Sequence, residues 1–177
     1  MAKTLHSQIH RVIDANFNRA KEGLRVCEDI CRFVYDDASL TKSFKNARHA
    51  LSAILLKIDS SSFIRARNIQ EDVGKLSTRR ELTRQNVRDV IFANIQRVKE
   101  SIRVLEEFTK LLNQKAAVDL KSLRYKIYAL EQKIAIDLLS ANQNVKSLNS
   151  VIDGIERFNI GKEKVNNRAI PGAIICQ

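Results

Sequence analysis

The chain has 177 residues, 44% hydrophobic and 29% charged, with one proline, five glycines and no tryptophan. That composition suits one globular domain and favours long helices over a strand-and-turn fold. A formal net charge of +11 points to an anionic partner: nucleic acid, an acidic membrane surface or phosphorylated small molecules.

Apolar runs are only a few residues long, which excludes a membrane span. The opening MAKTLHSQIH has no apolar secretory core, so the expected location is the cytoplasm. Cys27, Cys31 and Cys176 do not make a disulfide framework. The three histidines show no ligand spacing with them, so Cys27 and Cys31, one turn apart on an apolar face, are expected in the core.

Taken in order, the first helix is expected from a cap at Thr4 or Ser7 to about Tyr35. Val12, Ala20, Gly23, Cys27, Ile30, Cys31 and Val34 form its apolar face at about 100° per residue. Lys21, Arg25, Glu28, Asp29 and Arg32 lie opposite. After Asp36-Asp37-Ala38, Ser39 is expected to cap a second helix with the stripe Leu40, Phe44, Ala47, Leu51, Ile54, Leu55 and Ile58. The short connector makes the two antiparallel neighbours, and Arg48 sits at the stripe edge.

Residues 59–84 form a basic loop with no clean period. It carries Arg65 and Arg67, and a turn at Asp72-Val73-Gly74. It is readable either as a substrate lid or as a solvated connector. Thr83 or Asn86 caps a third helix to about Leu112, with Val90, Val98, Ile102, Leu105, Phe108 and Leu112 inside. A fourth follows, striped by Leu120, Leu123, Ile127, Leu130, Ile134 and Leu138, with Arg124 and Glu131 on the same side. Residues 146–177 read as a short helix and tail after a domain spanning 1–145.

The segment from Asp14 to Val34 returns 78 positions later, from Phe92 to Leu112. The two share Ala15/Ala93, Asn16/Asn94, Arg19/Arg97, Lys21/Lys99, Glu22/Glu100, Arg25/Arg103, Val26/Val104 and Glu28/Glu106. Lys45-x-x-Arg48 is echoed by Lys121-x-x-Arg124. The expected fold is therefore all-α: a bundle of two helix hairpins, about 7–58 and 85–139, related by a pseudo-two-fold axis.

Asn16 and Asn94 interrupt the apolar stripe, and Arg19 and Arg97 sit inside its flank with Glu22 and Glu100 just beyond. Buried amides and guanidiniums are costly unless partnered. The repeated violation points either to a polar pocket on the axis or to internal caps and Arg–Glu pairs.

There is no Walker P-loop, GxGxxG, HExxH or CxxC, and no Ser-His-Asp pattern can be placed. Repeated Asn, Arg, Glu and Asp suit an electrostatic site: guanidiniums grip phosphate, and carboxylates hold Mg²⁺ beside substrate phosphates. On residues alone this is a phosphate-handling helical bundle. A basic helical nucleic-acid-binding protein is the competing class, motivated by Arg79, Arg80, Arg84 and Arg88. It is disfavoured because Lys and Arg are interleaved with Glu along every helix and exposed aromatics are few.

The compound motif Asp14-Ala15-Asn16-(x)2-Arg19-Ala20-Lys21-Glu22-Gly23-Leu24-Arg25-Val26-(x)-Glu28-Asp29 resembles the monofunctional hydroxymethylpyrimidine phosphate kinase family of thiamine biosynthesis. That helical domain occurs alone or fused ahead of thiamine-phosphate synthase. Lys45-(x)2-Arg48-His49, Asp72-Val73-Gly74, Ala93-Asn94-(x)2-Arg97-(x)2-Glu100 and Arg124-Tyr125-(x)2-Tyr128-(x)2-Glu131 extend the likeness over residues 10 to about 135. Lys99-Glu100-Ser101-Ile102 departs mildly from the family's Gln/Arg-Glu-Ala-Leu.

The resemblance implies ATP- and Mg²⁺-dependent conversion of 4-amino-2-methyl-5-hydroxymethylpyrimidine phosphate to its diphosphate, with a functional link to thiamine-phosphate synthase. A non-catalytic partner of that synthase is the alternative, and the helix stripes leave room for a homodimer. The candidate catalytic residues are Arg19, Arg97, Glu22 and Glu100. Candidate substrate contacts are Asn16, Asn94, Arg48, Arg124, Arg65, Arg67, Asp72 and Gly74. Asp72 and Glu22 are the candidate Mg²⁺ ligands.

Overall fold

A computed structural model describes residues 4–58, 61–66 and 83–137, and among them every regular element is an α-helix. α1 spans Leu5–Phe33, α2 Ala38–Leu55, α3 Ser61–Ala66 and α4 Val87–Thr109. α5 covers residues 114–137. The chain divides into a unit Met1–Gln132 and a unit Lys133–Gln177. In the second, only residues 133–137 are described, and they are helical.

Local chemistry sets the helix ends. Thr4 Oγ1 accepts from the Ser7 amide at 3.3 Å and caps α1. The chain leaves α1 through Asp36, whose φ of 49° lies in the left-handed region that Asp tolerates better than most residues. The cap of α2 is Asp37 rather than the expected Ser39: its carboxylate accepts from the Leu40 amide at 2.8 Å. An anion there also complements the helix dipole, which a serine hydroxyl does not. α4 is capped by Asn86, which accepts from the Asp89 amide at 2.9 Å while Asp89 accepts from the Gln85 amide at 3.1 Å. Asn113 caps α5 by accepting from the Ala116 amide at 3.0 Å.

The core is the meeting of the four long stripes. Ile13, Ala20, Leu24, Cys27 and Cys31 of α1, Phe44 and Leu51 of α2, Ile91, Ile95, Val98, Ile102 and Leu105 of α4, and Leu120 and Ile127 of α5 are fully buried. Each large aliphatic side chain so buried contributes roughly 1.5–3 kcal/mol. The cysteines are core residues as expected; burial pushes the Cys31 thiol up to about 11 and the Cys27 thiol higher still. Val34 departs from expectation and is 53% exposed. Val34 is the C-terminal cap of α1, its amide still bonded to the Ile30 carbonyl at 3.0 Å, so it stands where the helix and its buried stripe end.

α3 lies inside the segment expected to be irregular. It packs on α1, where Phe63 is buried and meets the His10 ring edge-on at 5.2 Å. Residues 67–82 and 146–177, with Arg67, Asp72, Gly74, Arg79 and Arg80, lie outside the described residues, and so does the question of a lid.

α1 and α4 cross closely and in opposite directions. Cys27 Sγ approaches the Ile91 carbonyl at 3.8 Å, while earlier on α1 Gly23 lies against Asn94 and Val98. Advancing along α1 thus means retreating along α4. A Cβ at Gly23 would stand 2.8 Å from Val98 Cγ2 and 3.2 Å from the Asn94 carbonyl oxygen. The Val98 methyl can rotate away, but the carbonyl belongs to the helix backbone. Gly23→Ala is therefore expected to cost about 1–3 kcal/mol as overpacking, read as a lower denaturant midpoint. An unchanged midpoint would mean that the crossing has slack.

Candidate functional site

The α1–α4 crossing opens into a cleft of ≈ 680 Å³ lined by Asn16, Arg19, Glu22, Gly23 and Val26 from α1 and by Asn94, Arg97, Glu100, Ser101 and Val104 from α4. The lining follows helix geometry. Positions 16, 19, 23 and 26 share one stripe of α1, and 94, 97, 101 and 104 the same stripe of α4. Because the helices run antiparallel, positions rise along α1 as they fall along α4: Cys27 meets Ile91, and Gly23 meets Asn94 and Val98. In the repeat Gly23 corresponds to Ser101, and both are buried, so small residues let the backbones approach while their neighbours keep long polar side chains at the opening.

Each asparagine is held by its own helix. Asn16 Nδ2 donates to the Val12 carbonyl at 2.9 Å, and Asn94 Nδ2 donates to the Val90 carbonyl at 2.8 Å. A carbonyl can only accept, so this bond settles which end of each carboxamide faces the helix. Among the described residues, the buried side-chain oxygens that lack a partner are Asp29 Oδ1 and Thr109 Oγ1. Neither carboxamide oxygen of Asn16 and Asn94 is among them, and both asparagines line the cleft.

Arg19 and Arg97 are exposed at the cleft rather than tucked into the stripe flank. Neither takes part in an ion pair among the described residues. Arg25, Arg48, Arg103 and Arg124, by contrast, are all paired. Glu22 and Glu100 are also exposed, with Glu100 accepting from Gln96 Nε2 at 2.7 Å. Two cations, two carboxylates and two carboxamides therefore share one opening.

Arg48 and Arg124 do not line the cleft. Arg48 Nε donates to Glu28 Oε2 at 2.9 Å, and Arg124 Nε donates to Glu106 Oε2 at 3.0 Å. Arg25 and Arg103 grip the other oxygen of each carboxylate at 3.2 and 2.8 Å. Glu28, expected on the solvent face of α1, is only 5% exposed, and Glu106 is 3% exposed. The reason is tertiary: α2 and α5 lay their arginines over these positions. Arg124 is held further by donating to the Tyr128 hydroxyl at 2.8 Å. That bond, ahead of the one to Glu106, raises the guanidinium above its usual range.

Periodicity does not reveal these Arg–Glu–Arg clamps as a unit, although Glu28/Glu106 stands among the repeated identities. Arg65 is exposed on α3. Among the described residues no three His, Cys, Asp or Glu side chains cluster to hold a metal ion. A second cleft, of ≈ 590 Å³, lies where α1 meets α2, lined by Arg32, Asp36, Asp37, Thr41, Lys42 and Lys45 among others. Its acidic side chains sit at the α2 cap, and the repeated Asn, Arg and Glu positions are not part of it.

Residues 11–133 match the model of the ThiD2 family. The chain belongs to that family. Among curated proteins, this ThiD2 chain is 39% identical over 132 residues to a thiamine-phosphate synthase of Synechocystis sp., covering 74% of this chain and 37% of that protein. It is 38% identical over 124 residues to a thiamine-phosphate synthase of Nostoc punctiforme, 70% of this chain and 34% of that one. It is 34% identical over 139 residues to one of Rhodopirellula baltica, 78% and 37%. The ThiD2 chain thus spans little more than a third of the curated relatives it matches. No solved structure matches it. Among the described residues no helix is long and apolar enough to cross a membrane.

Proposed function

We propose that this chain acts in thiamine biosynthesis as a phosphotransferase. It would convert 4-amino-2-methyl-5-hydroxymethylpyrimidine phosphate to the diphosphate at the expense of ATP. The observation that carries this reading is the cleft itself. Two exposed guanidiniums outside any ion pair of the described residues, Arg19 and Arg97, converge on one opening beside polar groups that a core would not keep.

The reaction suits such a site. An oxygen of the substrate phosphate attacks the γ-phosphorus, the bond to the β-phosphate oxygen breaks, and ADP leaves with the electron pair. The nucleophile is a phosphate monoester, whose second pKa is about 6, so it is already ionised at neutral pH and needs no side-chain base. What remains is alignment and charge neutralisation. Arg19 and Arg97 supply the positive charge.

Glu22 and Glu100 offer hard oxygen ligands at the mouth, which fits Mg²⁺ held by one or two carboxylates together with substrate phosphates. Bound there, Mg²⁺ would neutralise phosphoryl charge. ADP release that depends on the pyrimidine monophosphate is the test. Release with that substrate, and not with water or nucleosides alone, supports the kinase. No release under saturating ATP and Mg²⁺ ends it.

A second reading has its own observation. The relatives are named for the synthase and are far longer than the matched region, so the ThiD2 part travels with synthase sequence. On that reading the chain is a non-catalytic partner that channels or regulates. It would change the synthase rate in trans without releasing ADP.

A further inference from the structure

We propose that Asn16 and Asn94 are the specificity-determining residues of the cleft. Each would accept the exocyclic amino N–H of one phosphorylated amino-heterocycle, one ligand for each half. The inference rests on the phosphate-transfer reading above and goes beyond it, by dividing the work between the two polar residue types and by fixing which atom reads the ligand.

Each carboxamide has one N–H committed to the carbonyl four residues earlier, which locks the plane of the group against its own helix. The oxygen is the acceptor end of a side chain that lines the cleft. An oxygen there repels a phosphate, whose non-bridging oxygens are acceptors too. The second N–H of each carboxamide is a single neutral donor, so the charge that neutralises a phosphate comes from Arg19 and Arg97, one turn further along the same stripes. What the oxygen can receive is a ligand N–H or O–H.

Both reactants of the proposed reaction have the same outline: a heterocycle with an amino group beside a ring nitrogen, attached to phosphate. Two half-sites that each offer one acceptor oxygen and one guanidinium match two ligands so built. The 4-amino group of the pyrimidine and the 6-amino group of adenine would be read in the same way. Replacing either by a ring carbonyl sets oxygen against oxygen and leaves the acceptor unpaired under the ligand, which costs at least about tenfold in affinity.

The test is binding by calorimetry under non-turnover conditions, one ligand at a time. The probes are the 4-amino pyrimidine phosphate and its 4-oxo analogue, adenosine and inosine triphosphates, and inorganic phosphate as a control. The full chain is expected to prefer each amino compound over its oxo counterpart by at least about tenfold. Asn16→Leu and Asn94→Leu are each expected to erase one of the two preferences, a different one in each variant, with inorganic phosphate bound as before.

Equal binding of amino and oxo compounds by the unmodified chain overturns the inference without recourse to any variant. Preferences that survive in both folded variants overturn it as well, since the asparagines then only tie down their own helix. Absence of binding by every phosphorylated heterocycle defeats this inference and the reading of the cleft together. Discrimination without ADP release leaves this inference standing and removes the kinase alone.

Discussion

Arg19→Ala and Arg97→Ala are each expected to lose roughly a hundredfold in turnover while remaining folded. A preorganised charge contact to a developing transition state is typically worth on the order of 3 kcal/mol. Both guanidiniums line the cleft, and neither is in an ion pair among the described residues. Removing one therefore strands no buried carboxylate, and the fold has little reason to notice. Circular dichroism together with ADP release on each variant checks the claim. A folded variant with unimpaired turnover would sink the assignment of these residues.

The largest loss of stability is expected at the other repeated feature of the two halves, the buried carboxylates. Glu106→Ala should cost about 3–5 kcal/mol, because it leaves a buried charge without its counter-ion. The Arg124 side chain is 10% exposed and would keep the Tyr128 hydroxyl and the rings of Tyr125 and Tyr128, but no carboxylate from its clamp. Glu28→Ala should cost somewhat less, since the Arg48 side chain, at 18% exposure, is better able to find water. The measurement is equilibrium unfolding in urea. The contrast with Arg19 and Arg97 matters: these substitutions act on the midpoint, the cleft substitutions on turnover. A wild-type midpoint for Glu106→Ala would mean that Arg124 can swing out to solvent.

The paired positions explain why the cleft is legible in the sequence. Asn16 and Asn94 stand out because an amide in an apolar stripe needs a reason, and the same anomaly 78 residues apart needs the same reason. Arg19, Glu22, Arg97 and Glu100 follow from the same offset, and all of them line one opening. Glu28 is legible as a repeated identity but not as a buried group. On its own helix it sits on the polar side, and only the guanidinium arriving from α2 makes that side an interior. α3 is illegible for a related reason: six residues carry too short a period to register, and what holds them is Phe63 on His10.

By itself, the sequence determined the helical class, the inward stripes and the residue types that stand at the crossing of α1 and α4. These are properties of a single helix. A period of 3.6 assigns each side chain an azimuth, and the repeat assigns the same azimuths twice. The tertiary structure alone decided what each azimuth faces. It ran α1 and α4 antiparallel at the contact of Gly23 with Asn94, which set the two Asn–Arg–Glu rows into a common cleft. It also turned Arg48 and Arg124 away from that cleft onto Glu28 and Glu106. The physical reason is that an arginine at a stripe edge can reach either neighbour, and the packing of α2 and α5 brings Arg48 and Arg124 within hydrogen-bond reach of Glu28 and Glu106, which the guanidiniums then cover.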